Sequence, residues 1–192
     1  MLRFVNEVAR VHVLLQGSLS PTVSTCSLIV DGGALIVVDP GLAPGQEAIT
    51  DPLRAMGIDP LDVTDVVISH HHPDHSLNVA LFPSARVHDH WAIYDFHGRW
   101  DDVEAEGRGV SANVQLLRTP GHTPEDISTV ARVADGTVVF THAWWTADKP
   151  VDDPYCHDLA TLRASRARIL ELATIIVPGH GAPFRPSATT PR

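Results

Sequence analysis

The stretch SHHHPDH, residues 69–75, places four histidines and an aspartate directly behind the apolar run VVI. The residues VTDVVISH read as a strand buried on both faces, and such a strand cannot continue through side chains this polar. The chain must therefore leave the sheet near His70, with the cluster at a strand end. His70 and His72 are two residues apart, so on extended backbone both imidazoles project to one side and His71 projects away. Asp74 and His75 follow around the turn and offer an oxygen and a nitrogen to a neighbouring point. Borderline divalent metals such as Zn²⁺ accept that mixture at roughly 2.0–2.2 Å per bond. An isolated His-x-His, by contrast, is usually a solvated loop.

Two more histidines take the same kind of position. The segments RTPGHTPED and IIVPGHGAP put His122 and His180 in Pro-Gly-His turns behind strands ending near Arg118 and Val177. Glycine there allows the tight bend that aims an imidazole along the strand-end face. Further strands are expected in VARVHVLL, in STCSLIVDG and GALIVVDPG as a hairpin about Asp31-Gly32-Gly33, and in ARVHDH, NVQLLRTPG, ISTVARV and GTVVFTH. Helical spacing covers residues 44–56, with Pro52 arguing for a kink or break, and 158–173, with Asp158 as N-cap. SLNVALFP reads as a short helix, and residues 91–109 as a loop-rich excursion. Two mixed sheets packed together with helices outside satisfy this layout, though periodicity alone allows other α/β arrangements.

A chain of 192 residues fits one domain, here expected over 1–182 with 183–192 as a flexible tail. The formal net charge of −9 disfavours a broad nucleic-acid face. Cys26 and Cys156 are too few for a disulfide framework. The opening MLRFVNEVARVHVLLQGS lacks a signal-peptide core, and no stretch is long enough to span a membrane, so a cytoplasmic protein is expected.

The order HHHPDH, PGHTPED, PGHG, preceded by LIVDGGALIVVDPG, resembles the metallo-β-lactamase-fold hydrolase superfamily. The similarity covers nearly the whole chain, and the VPGHGAPFR ending is similar to one group of small members. The resemblance implies an α+β fold, a four-layer αββα sandwich, with a one- or two-metal site along one edge. It assigns His70, His72 and His122 to a first ion and Asp74, His75 and His180 to a second. It also implies a hydroxide between the ions as nucleophile, with Asp74 as the catalytic group that orients it and shuttles its proton. Asp39 would stand behind a ligand histidine. Zn²⁺ is the expected cofactor, as one or two ions, and Fe or Mn suits the same donors.

One place departs from the superfamily pattern. The strand before the last helix usually ends there in Gly-Asp, whose carboxylate bridges the ions. Here it reads Thr141-His142-Ala143. A neutral imidazole offers one lone pair to one metal, so the preferred reading makes His142 a ligand to a single ion. A pocket histidine, a swing of Asp148 into the site and a weak one-metal site are the alternatives. Glu125 and Asp126 stand where glycine is common. Trp145 or Trp144 could wall the substrate site, and His90 and His97 could line it. The expected function is hydrolysis of a small ester, lactone, thioester or amide. A phosphodiesterase or nuclease and a non-catalytic metal- or ligand-binding protein are the alternatives. The expected partner is a small molecule rather than nucleic acid or membrane, with a homo-oligomer left open.

Overall fold

The computed structural model describes residues 8–192; the expectation for the first seven residues of the N-terminus lies outside them. One sheet contains β1 (Arg10–Leu15), β4 (Cys26–Asp31), β5 (Ala34–Val38), β6 (Asp65–Val67), β7 (Arg86–His88), β8 (Ala92–Asp95) and β9 (Trp100–Asp102), in that order. The second contains β10 (Val114–Arg118), β11 (Ile127–Val133), β12 (Gly136–Thr141) and β13 (Ile175–Pro178). A small hairpin of β2 (Ser18–Leu19) and β3 (Thr22–Val23) stands apart from both. Helices α1 (Glu47–Ala55) and α3 (Leu159–Leu172) are the long ones, and α2 (Pro73–Ser76) is a single turn.

Alternation along the strands explains the layering. Ile29, Ile36, Val38 and Val67 of the first sheet meet Leu116, Val138, Phe140 and Val177 of the second in one core. The intervening residues Leu28, Val37 and Val66 point outward onto Ile49 and Leu53 of α1. On the far side, Val139 and Ile176 pack against Leu162 and Ile169 of α3. The result is helix, sheet, sheet, helix, the expected four-layer αββα sandwich. In the first sheet β5, β6 and β7 run parallel, and in the second β12 and β13 do. The ends of β5, β6, β12 and β13 all open at one edge of the sandwich, where the histidines collect.

Three local expectations are corrected. Helix α1 runs unbroken through Pro52; burial of Ile49 and Leu53 on one face outweighs the hydrogen bond the proline cannot donate. Within residues 91–109 the chain forms the β8–β9 hairpin, where Tyr94 and Trp100 stack at 4.9 Å. Residues 183–192 are not a free tail. Phe184 exchanges backbone hydrogen bonds with Ile176, and the Trp144 indole donates to the Pro191 carbonyl at 2.9 Å. An apolar ring with one buried donor fixes a tail whose composition looked loose.

Asp31, at the β4–β5 turn, ties the two sheets together. Its carboxylate accepts from Ser111 Oγ at 2.6 Å, from the Asn113 backbone N–H at 2.7 Å and from Asn113 Nδ2 at 2.7 Å. Burial pushes this carboxyl up, but the Ser111 and Asn113 hydrogen bonds outweigh it and hold it below the usual range. A depressed folded value means stability that is present above the unfolded carboxylate pKa and lost as pH falls through the folded one. Asp31→Ala is therefore expected to cost about 2–4 kcal/mol at pH 7. In urea unfolding the gap from wild type should narrow by pH 3; a gap independent of pH would contradict this account.

Candidate metal centre

The first ligand loop begins where β6 stops. Ser69 donates its backbone N–H to Asp39 Oδ1 at 2.7 Å, and His75 Nδ1 meets Asp39 Oδ2 at 2.9 Å. Asp39 follows β5 with a φ of 51°, left-handed backbone that is rare outside glycine and strained here to aim both oxygens at the loop. A Cβ on Gly41 would lie 1.6 Å from the Asp74 carbonyl oxygen, so only glycine lets the α2 turn approach this closely. Similarly, a Cβ on Gly179 would come 2.4 Å from the His142 ring. Behind β13, His180 is held by its backbone N–H on the Trp145 carbonyl at 2.8 Å.

The imidazoles are oriented from behind. Asp39 Oδ2 lies against His75 Nδ1, Asp153 Oδ2 against His122 Nδ1 at 2.7 Å, and the Val23 carbonyl against His180 Nδ1 at 3.0 Å. His70 Nδ1 meets Ser69 Oγ at 3.0 Å. Acceptors at Nδ1 place the proton there and leave each Nε2 with a free lone pair facing inward. His72 presents Nδ1 instead, 3.0 Å from His70 Nε2 and 3.2 Å from His122 Nε2. Tetrahedral ligands on an ion at ~2.0–2.1 Å stand roughly 3.3–3.4 Å apart, so these three nitrogens are spaced as the edges of such a site. Asp74 Oδ2 stands 3.4 Å from His75 Nε2 and 3.5 Å from His180 Nε2, forming a second set of the same dimensions.

These donors fit a divalent metal. His75 Nε2 is buried with no hydrogen-bond partner, a lone pair in want of a cation. Burial, reinforced by the neighbouring rings, holds His70 and His142 well below the usual histidine value, and burial also lowers His72 and His180. All four are thereby kept neutral, the form that binds metal. His75 differs: burial pulls it down, but Asp39 raises it overall.

His142 stands between the two sets. Its ring lies 4.7 Å from those of His70 and His75 and 4.3 Å from that of His122, and its Nε2 is 3.1 Å from His180 Nε2. Unlike His75, His122 and His180 it has no acceptor behind it, because its Nδ1 is buried without a hydrogen bond. Asp148 does not approach; it is exposed and accepts from Thr146 Oγ1. Asp126 is buried, 3.8 Å from His70 Nδ1, and burial pushes its carboxyl up to about 6. Glu125 accepts from the His71 backbone N–H at 2.9 Å, fastening that ring outside the centre as alternation required.

Asp153 was not legible as a site residue. It lies 31 residues from the histidine it holds, in a loop with no periodicity or motif. Arg166 was equally hidden in a helix: its guanidinium is fully buried and donates to the carbonyls of Ala143, Pro150 and Val151. That clamps both ends of the loop carrying Trp145, while Trp144 turns into the core at 0% exposure.

The centre opens into a cavity of about 600 Å³ lined by Leu19, Thr22, Trp145 and Tyr155 as well as by the centre's own side chains. His90 and His97 do not line it; His90 stacks on Trp91 at 5.6 Å. Another cavity, of about 460 Å³ around residues 109–115 and Arg132, is lined by no histidine, cysteine or carboxylate among the described residues.

Comparison with known proteins agrees with this geometry. Residues 19–180 match the family model described as Metallo-beta-lactamase superfamily. Metallo-beta-lactamase domain-containing protein 1 of Xenopus laevis is 33% identical, over 91% of this chain and 81% of that protein. A metallo-beta-lactamase structure from Thermotoga maritima superposes with a TM-score of 0.75 at 20% identity, covering 94% of this chain and 100% of that one. An N-acyl homoserine lactone hydrolase, solved with its product N-hexanoyl-L-homoserine at its catalytic metal center, gives 0.67 at 19% identity, covering 91% and 93%. Sequence motifs, strand-end geometry and relatives thus converge, and the chain belongs to the metallo-β-lactamase superfamily.

Proposed function

We propose that this protein is a metal-dependent hydrolase of a small neutral ester, lactone, thioester or amide, with zinc at the centre. The observation that carries this reading is the pair of adjoining donor sets, His70/His72/His122 and Asp74/His75/His180, opening side by side into one cavity. A dication there would lower the pKa of a bound water to roughly 7 and polarise the oxygen under attack.

The chain's own residues supply the rest. Asp39 and Asp153 hold the Nδ1 protons of His75 and His122, so those rings cannot flip to a tautomer that withdraws the lone pair. Asp74 is the carboxylate on the cavity wall among the described residues. It is placed to accept a proton from the attacking water and return it to the leaving group. His142, with its Nε2 beside that of His180, is assigned to the second ion in place of a carboxylate. An imidazole offers one lone pair, so His142 would hold a single ion where a carboxylate could hold two. This same substitution favours, as the second reading, a metal-binding protein without turnover.

Elemental analysis of zinc-loaded protein should find two ions, falling to one in His142→Ala; unchanged stoichiometry and affinity would remove His142 from the ligand set. Asp153→Asn is expected to weaken the first ion about 10–100-fold in a chelator competition, while the chain stays folded. Zinc-loaded protein should turn over members of a lactone, thioester and ester panel faster than bis(4-nitrophenyl) phosphate. No turnover on any of them, with metal fully bound, would return the binding-protein reading.

A further inference from the structure

The wall of the cavity facing the centre is aromatic and uncharged. Trp145 and Tyr155 stack with centroids 5.8 Å apart and planes 16° from parallel. Trp145 in turn meets the His122 ring edge-on, 6.5 Å away at 87°. A continuous π-surface therefore runs from a proposed ligand of the first ion outward to solvent. Tyr155 is 75% exposed, and Leu19, at the end of β2, is 40% exposed beside the same cavity. Apolar surface this open, at the mouth of a reactive site, marks where a ligand packs.

The wall is also held in place. Tyr155 donates its backbone N–H to Asp153 Oδ1 at 2.8 Å, and the other oxygen of that carboxylate holds His122. Trp145 is fixed by its backbone N–H on the Lys149 carbonyl at 2.9 Å, within the loop that Arg166 clamps. One carboxylate thus sets the distance between the stacked pair and the metal centre. A flat group lying on the wall arrives with its attached carbonyl at a fixed reach.

Charge narrows the ligand further. No lysine or arginine lines this cavity among the described residues, and Asp74 is its charged protein group. A carboxylate or phosphate on the part of the substrate lying against the wall would lose water without gaining a partner. Aromatic stacking can also hold a nucleobase, but the phosphates of a strand would meet no cation beyond the metals, and the chain's net charge is −9.

We propose that Trp145 and Tyr155 form a subsite for a flat, uncharged aryl group attached close to the scissile carbonyl, so that the substrate class is a neutral aryl-bearing ester, thioester or lactone. This rests on the hydrolase reading for the chemistry, but not for binding.

The test therefore has a binding arm and a turnover arm. In the first, phenylacetamide is titrated into metal-free and zinc-loaded protein while the Trp145 indole N–H is followed by NMR. The signal should shift in wild type and Tyr155→Phe and stay still in Tyr155→Ala. In the second, phenylacetyl, acetyl and 4-carboxyphenylacetyl esters of one alcohol are compared on zinc-loaded protein. The phenylacetyl ester should be preferred over acetyl by about tenfold in kcat/KM, through KM, as expected for one stacked ring. The carboxylate should abolish that preference. Tyr155→Phe should keep the ratio and Tyr155→Ala should bring it toward one. Indole shifts without turnover of any ester would uphold the subsite and defeat the hydrolase reading. Turnover with no aryl preference and no shift would overturn the subsite. Faster cleavage of a dinucleotide phosphodiester than of the neutral aryl ester would overturn it in favour of a nucleobase.

Discussion

The structure turns on oxygen acceptors placed behind buried imidazoles. Asp39, Asp153 and the Val23 carbonyl each accept a hydrogen bond from an Nδ1–H, so His75, His122 and His180 turn their Nε2 atoms inward, His122 toward His72 and the other two toward Asp74. Where ring nitrogens lie about 3 Å apart, as at His70–His72 and His142–His180, a cation between them would satisfy lone pairs that otherwise depend on one ring turning an N–H toward the other. The two parallel strand sets, one per sheet, are what bring these residues from distant parts of the chain to one edge.

That edge is stabilised from several layers away. Asp31 fastens the first sheet to the loop before β10, and Thr25 accepts from Gly17 and Gly181 backbone N–H groups, linking the β2–β3 region to the His180 turn. Arg166 serves the other side, since its buried charge is satisfied wholly by backbone carbonyls and by the face of Trp144, 5.3 Å away. The loop it clamps carries His142 at one end and Asp153 just beyond the other. The His142 ring, the carboxylate that orients His122 and the aromatic wall therefore all depend on one short segment, 142–155.

Most of the centre was legible because its residues are local to strand ends. His70, His72, Asp74 and His75 share seven positions, and the Pro-Gly-His turns at His122 and His180 announce a bend as well as a donor. The four layers came with the family resemblance, and alternation in runs such as Leu35–Val38, where neighbours face different cores, agrees with them. Asp39 was readable as a residue behind a ligand because it ends the strand next to β6. Asp153 and Arg166 were not, because their roles depend on contacts between segments that no local pattern records. Trp145 was expected on the pocket wall and lines it, whereas residues 91–109, read as a loop-rich excursion, form the β8–β9 hairpin at the edge of the first sheet. Pro52 and the C-terminal segment show the complementary limit, since tertiary burial overrode local propensity in both.

In the proposed centre, Nε2 of His70 and His122 and Nδ1 of His72 converge on one divalent ion. Anomalous diffraction at the zinc edge, from crystals of zinc-loaded protein, tests it directly. A peak is expected within about 2.0–2.2 Å of those three nitrogens. A peak elsewhere, or coordination through Nδ1 of His70 or His122, would contradict it.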